Sequence, residues 1–212
     1  MSITTYAELQ TAVARWLKRD DLTAYIPDYI AFGENRLWYG DKGQFPTDPL
    51  RSRANEGSET GTLDTASPIV PFNKTDSSYY LGTISLTFTS GGTTWALRYL
   101  SPQNFNNVSL EGSSPQYYTF KDGVINLAPS AAGPWAHSFY KKSLPLSASS
   151  TGLLSYYPEL YLYAACIEGA LDIGGDTLAA RFAARFQGRL NAINTAQKAS
   201  PAGGSLAVTI GR

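Results

Sequence analysis

The chain has 212 residues, 43% of them hydrophobic, enough to fill one domain of ordinary size or one domain carrying an extension. Only 16% are charged, and the 17 basic and 17 acidic side chains cancel. That balance argues against strong electrostatic adhesion of the isolated chain to nucleic acid, which needs surplus Lys and Arg to neutralise phosphates; a surface that merely lets DNA slide past needs no such surplus.

Cys166 is the only cysteine, so no intrachain disulfide and no cysteine-based zinc site can form. Met1-Ser2-Ile3-Thr4-Thr5 lacks the basic and apolar runs of a signal peptide, and no stretch approaches the ~18 apolar residues of a membrane span. The expectation is a chain made and kept in a cytoplasm, or in something assembled there. A surface short of charge but rich in Tyr, Thr and Ser suits burial against neighbours. An ordinary β-rich domain with polar loops has the same composition.

In chain order, Thr5-Tyr6-Ala7-Glu8 is a capping box: the Thr5 hydroxyl takes an early helix N–H while Glu8 reaches back. Tyr6, Leu9, Val13, Trp16 and Leu17 then recur at helical spacing, and the helix should end near Lys18-Arg19. A second helix is expected from Pro27, with Tyr29, Ile30, Gly33 and Leu37 on its packing face, giving out near Tyr39-Gly40-Asp41.

From about Gly43 to Ser150 helical periodicity vanishes. Ile84 to Phe88 alternates as a half-buried strand, Ser90 to Thr93 is a turn, and Thr94 to Leu100 is the expected hairpin partner. Tyr117 to Phe120 and Val124 to Leu127 form a second hairpin around Asp122-Gly123, with Trp135 to Tyr140 as a third partner. Arg51 to Asp64 reads as a strand or a mobile arm.

Helical pattern resumes after Tyr157-Pro158-Glu159, with Leu162, Tyr163, Cys166, Ile167, Ala170 and Leu171 on one face, ended by Gly174-Gly175. Asp176 is the expected N-cap of a last helix carrying Leu178, Phe182, Phe186, Leu190 and Ile193 and fading near Lys198. Ser200 to Gly204 is a joint, and Leu206, Ala207, Val208, Thr209 and Ile210 are a β-prone end.

The expected fold class is therefore α+β. Residues 1–42 and 151–198 contribute N- and C-terminal helices to one small bundle, 43–150 form a long antiparallel β insertion, and 199–212 are a flexible, extended C-terminal arm.

Thr4 to Leu9, Trp16-Leu17 and Asp21 to Ile30 together resemble the opening of tailed-bacteriophage head-to-tail adaptor proteins, also called connector or head-completion proteins. Tyr157 to Ala165 is similar to that family's third-helix signature, and Leu97 to Gln103 and the Tyr117 to Pro129 hairpin are similar in kind and order. The likeness runs to about Gln197. It implies a structural virion protein of the neck, assembled in the host cytoplasm: a ring, dodecameric in the family, docked beneath the portal around the DNA channel, with tail or nozzle proteins attached below. One departure stands out. Gly40 to Asn55 is irregular, where the family would have the second helix run on with basic residues.

Catalytic chemistry finds no constellation. His137 is the only histidine, which excludes a multi-histidine metal site, and serines abound without a Gly-x-Ser-x-Gly elbow. No phosphate-binding Gly-x-x-x-x-Gly-Lys-Ser/Thr occurs, Asp20-Asp21 reads as helix capping, and Cys166 reads as a core residue. The expectation is a protein that is not an enzyme and takes no cofactor or metal.

Two features are candidate partner-binding elements. Arg181, Arg185 and Arg189 form a stripe at four-residue spacing, readable as a solvated flank, as ion-pairing partners for a neighbouring subunit or the portal, or as groups facing channel DNA without sequence-specific binding. Leu206 to Ile210 can fray, or can add as a strand to a sheet edge on the portal or an adjacent subunit. The β-region aromatics, from Tyr79 and Tyr80 to Phe139 and Tyr140, read as core and cross-strand pairs or as a stacking surface for sugar. An alternative reading is thus a carbohydrate- or protein-binding tail component.

Overall fold

The computed structural model describes residues 3–64, 69–71, 80–107, 114–147 and 150–199. The 199–212 arm, with Leu206 to Ile210, thus lies outside the described residues, apart from Ala199 itself. Two units divide the chain: Met1–Arg53 with Pro145–Arg212, and Ala54–Leu144.

The first unit is helical. Thr5 caps α1 (Tyr6–Leu17), its Oγ1 accepting the Glu8 N–H at 3.2 Å while Glu8 Oε2 accepts the Thr5 N–H at 3.0 Å. Leu9, Val13 and Leu17 bury the predicted stripe, and Lys18 ends the helix in the left-handed region. Helix α2 (Ile26–Tyr39) starts one residue before Pro27 and buries Tyr29, Ile30, Gly33 and Leu37.

Helix α2 stops where its own residues predict, at Gly40, whose φ of 72° suits glycine and whose Cβ, if present, would meet the Thr47 carbonyl at 2.5 Å. The following loop folds back through paired backbone bonds between Asp41 and Thr47. Asn194 pins it, accepting the Arg51 N–H at 2.9 Å and donating to Pro49 O at 3.2 Å. The helix does not run on as the family pattern would have it.

Two later helices complete this unit, following in the chain a one-turn helix of the β unit, α3 (Pro102–Phe105). Helix α4 (Pro158–Asp172) packs against α1, α2 and α5 (Asp176–Ala199), so it is buried on most sides. Leu160, Tyr161, Ala164 and Ala165 join the predicted Leu162, Cys166, Ile167 and Ala170 in the core, while Tyr163 and Leu171 remain half-buried. Glycine ends α4 as expected: Gly174 takes a φ of 67°, with Gly174 N–H bonded to Leu171 O and Gly175 N–H to Ala170 O. Asp176 is the first residue of α5 rather than its cap, because the Gly175 carbonyl already accepts the Ala179 N–H. Phe182, Phe186 and Leu190 bury the predicted stripe of α5.

The second unit is a sandwich of two four-stranded sheets. One has the order β1 (Glu56–Leu63), β8 (Gly133–Lys141), β3 (Tyr80–Ser90), β4 (Thr93–Ala96); the other runs β2 (Ile69–Pro71), β7 (Val124–Ala128), β6 (Tyr117–Lys121), β5 (Arg98–Tyr99). Leu63, Leu86, Phe88 and Trp135 from the first sheet meet Tyr118, Ile125 and Leu127 from the second, with Leu97 among them. Pairing is antiparallel except for the two-residue β5–β6 contact. The Asp122-Gly123 turn lies between β6 and β7 as expected, both residues at positive φ.

Three expectations need correction. Thr94 to Leu100 is not one hairpin partner: β4 leaves β3 after Ala96, Leu97 buries in the shared core, and Arg98 and Tyr99 join the other sheet. Trp135 to Tyr140 pairs with β1 and β3, not with the second hairpin. Ile84 does not share the inner row of Leu86 and Phe88, because a register shift between Thr83 and Ser85 turns it outward. Arg51 to Asp64 resolves as strand β1 from Glu56. Its Gly57 and Gly61 lie opposite Phe139 and Trp135, whose rings occupy the space a Cβ would need.

Candidate interaction surfaces

The helical unit carries a buried charge node around Arg36. Arg36 Nε donates to Glu168 Oε1 at 2.7 Å, and its Nη1 donates to Asp41 Oδ2 at 2.6 Å and to Phe45 O at 3.0 Å. This fork ties α2 to α4 and to the loop after Gly40, a geometry only a guanidinium supplies. Burial works against the Asp41 carboxylate, but the Gly43 N–H and Arg36 outweigh it and hold its pKa below the ordinary value. Nearby, Tyr29 donates to Asp172 at 2.5 Å; burial, then that bond, push the phenol up to about 12. These groups hold the helices together, and Arg36, Asp41 and Glu168 also line an open groove of about 300 Å³ beside Phe32 and Tyr39.

Outward, α2 presents a different row. Tyr25, Asp28, Phe32, Asn35 and Tyr39 are all exposed, at successive spacings of three, four, three and four residues. The three aromatics are more than half exposed, at 55%, 58% and 59%. Isolated exposed apolar side chains are ordinary, but a row at heptad spacing is the pattern of a helix that packs against another helix.

The arginine stripe lies on α5, with Arg181, Arg185 and Arg189 all exposed. Arg189 Nε sits 3.0 Å from Glu159 Oε2, both side chains about half exposed, so this surface pair contributes little to stability. Arg185 lies 5.5 Å from the Trp16 ring centroid, and Arg181 lines the same groove of about 250 Å³ with Trp16, Lys18 and Phe182. Arg181 and Arg185 thus share one aromatic and cationic groove, while Arg189 lies in a separate one with Tyr156 and Glu159.

Against this geometry, the family model of the SU10 adaptor protein matches residues 4–209, nearly the whole chain. The chain belongs to the SU10 adaptor protein family. These are phage head-to-tail adaptors, structural proteins of the particle. No individual curated protein matches it significantly.

In this SU10 adaptor the groups weighed for catalysis lie apart, in the β unit, in α4 and at the exposed α1–α2 turn. His137 is 1% exposed on the inner row of β8, Nε2 at 3.0 Å from Thr83 Oγ1, and burial lowers its pKa to about 4. Cys166 is fully buried in α4, and burial pushes its thiol up to about 12. Asp21 pairs with Arg19 at the α1–α2 turn. Among the described residues no cluster of His, Cys, Asp or Glu could hold a metal, and no helix is long and apolar enough to cross a membrane.

The β-region aromatics divide as alternation demands. Tyr118, Trp135 and Phe139 are buried, Tyr80, Phe120, Tyr117 and Tyr140 half-buried, and Trp95 and Tyr99 exposed; Tyr79 lies outside the described residues. The residues missed by sequence reasoning are Tyr25, Phe32 and Tyr39. Their signal was present as a seven-residue repeat off the packing face, hidden because Tyr29 and Leu37 accounted for the apolar periodicity.

Proposed function

We propose that this SU10 adaptor forms a closed ring, dodecameric as the family resemblance implies, under the portal, joining capsid to tail around the DNA channel. The observation that carries the reading is the family match over residues 4–209. The exposed surfaces suit it: a ring around one axis needs two different complementary faces on each subunit, and α2 and α5 present chemically different rows. Net charge of zero suits a channel wall that lets DNA pass without sequence-specific binding.

The C-terminal arm, Leu206 to Ile210, adds as a strand to a sheet edge of the portal or an adjacent subunit, and Arg181, Arg185 and Arg189 supply ion pairs to the same neighbours. The subunit stays monomeric until the portal templates it, then receives a tail or nozzle protein below. It acts by shape and contact, without a catalytic step or cofactor, in the virion neck after assembly in the host cytoplasm.

Mass photometry of the purified chain with and without purified portal tests this. The expected result is a monomer alone and one ring per portal in the mixture. Deleting residues 203–212 should abolish attachment while leaving the helical circular dichroism intact; unaltered attachment rules out the arm's role. A sugar-binding tail role is favoured by the groove in which exposed Trp95 lies with Arg98 and Tyr117, and glycan-array binding without portal binding would support it instead.

A further inference from the structure

We infer that the outward row of α2 docks against the exposed face of α5 on a second copy of this chain, with the Phe32 ring seated over Ala184 and Gly188. This rests on the ring reading and specifies its subunit contact. Tyr25, Asp28, Phe32, Asn35 and Tyr39 make a heptad row about 21 Å long at the 1.5 Å helical rise. The exposed row Thr177, Arg181, Ala184, Gly188, Asn191 and Thr195 on α5 has the matching four- and three-residue spacing and is slightly longer. Bulky side chains at heptad positions need holes on the facing helix, and this row has small residues at its centre.

Gly188 is the telling residue. A Cβ there would meet nothing within 4 Å, so packing inside the subunit does not require glycine. A glycine inside a helix nonetheless weakens it relative to alanine. An approaching aromatic ring from outside accounts for the missing side chain.

Charge agrees as well. Asp28 is the acid of the α2 row and Arg181 the base of the α5 row, and each lies one step N-terminal to the centre of its row, so with Phe32 over Ala184 and Gly188 the two meet when the helices run parallel. Because the two rows differ, their contact is heterologous and propagates from copy to copy instead of stopping at a pair. Phe32 is central in its row, and Ala184 and Gly188 are central in theirs, and the parallel direction is the one that also brings Asp28 to Arg181.

Disulfide trapping of the full chain assembled on purified portal tests the contact. The Phe32→Cys, Ala184→Cys double variant should give a reducible ladder of multimers beyond dimer, while Thr11→Cys, Ala184→Cys should give none. Native Cys166 is buried and will not compete. A dimer band from Phe32→Cys alone would show α2 pairing with α2 and overturn the inference, as would a ladder from the Thr11 control only, or none from the double variant while rings still form. Gly188→Leu should keep or raise the unfolding midpoint and reduce ring assembly at least tenfold; normal rings from it also overturn the inference. A wild-type chain that stays monomeric on the portal would remove the ring reading itself, and this contact with it.

Discussion

Gly33 on α2 faces Ala165 on α4 so closely that a Cβ on Gly33 would lie 2.8 Å from the Ala165 nitrogen. The obstacle is backbone, which cannot swing aside like the end of a long side chain. Gly188 on α5 is the opposite case, with open space where its Cβ would be. Gly33→Ala should therefore destabilise, because overpacking at roughly 1–3 kcal/mol exceeds the helix gain of about 1 kcal/mol. Gly188→Ala should stabilise by about 1 kcal/mol. Urea unfolding reads both; midpoints moving in the same direction would contradict this packing.

Arg36 serves three acceptors at once, so its loss leaves two partly buried carboxylates without their shared cation. Arg36→Met should cost roughly 2–3 kcal/mol, and Arg36→Lys should recover little, since an ammonium lacks the planar fork. The comparison is again by urea denaturation; a lysine variant as stable as the wild type would show that charge alone matters.

How far the sequence revealed these features depended on range. Caps and stripes were legible because they are local: Thr5 with Glu8, Gly174 after α4, and Phe182, Phe186 and Leu190 all act within a few residues. Strand partners were less so. Whether β8 pairs with β7 or with β3 is decided by which sheet buries Trp135, His137 and Phe139, and nothing local encodes that. Strand β1 looked weak because Gly57 and Gly61 supply no side chain; rings from β8 do so instead. The arginine stripe was visible, but the α2 row was not, since exposure is known only after the other face is packed.

His137 should make the protein acid-sensitive. Its folded pKa, lowered to about 4 by burial, lies below the ordinary 6.5, so the unfolded chain binds the proton first as pH falls. Stability is full above about pH 6.5 and is lost progressively down to about pH 4, by up to about 3 kcal/mol. His137→Gln should flatten that part of the pH profile of urea unfolding. An unchanged slope would assign the acid response to other groups.

Cys166 should be silent in the folded protein. Burial and a thiol pushed up to about 12 leave almost no accessible thiolate near neutral pH. A chromogenic disulfide reagent should find no reactive thiol in native protein and one per chain in urea; rapid native labelling would show that α4 opens readily.

Assembly is the claim on which function depends, and the particle itself decides it. Electron cryomicroscopy of the neck in purified virions should show a closed ring of this chain between portal and tail, encircling the DNA. Virions lacking the chain altogether, with the protein found only as a free monomer, would contradict it.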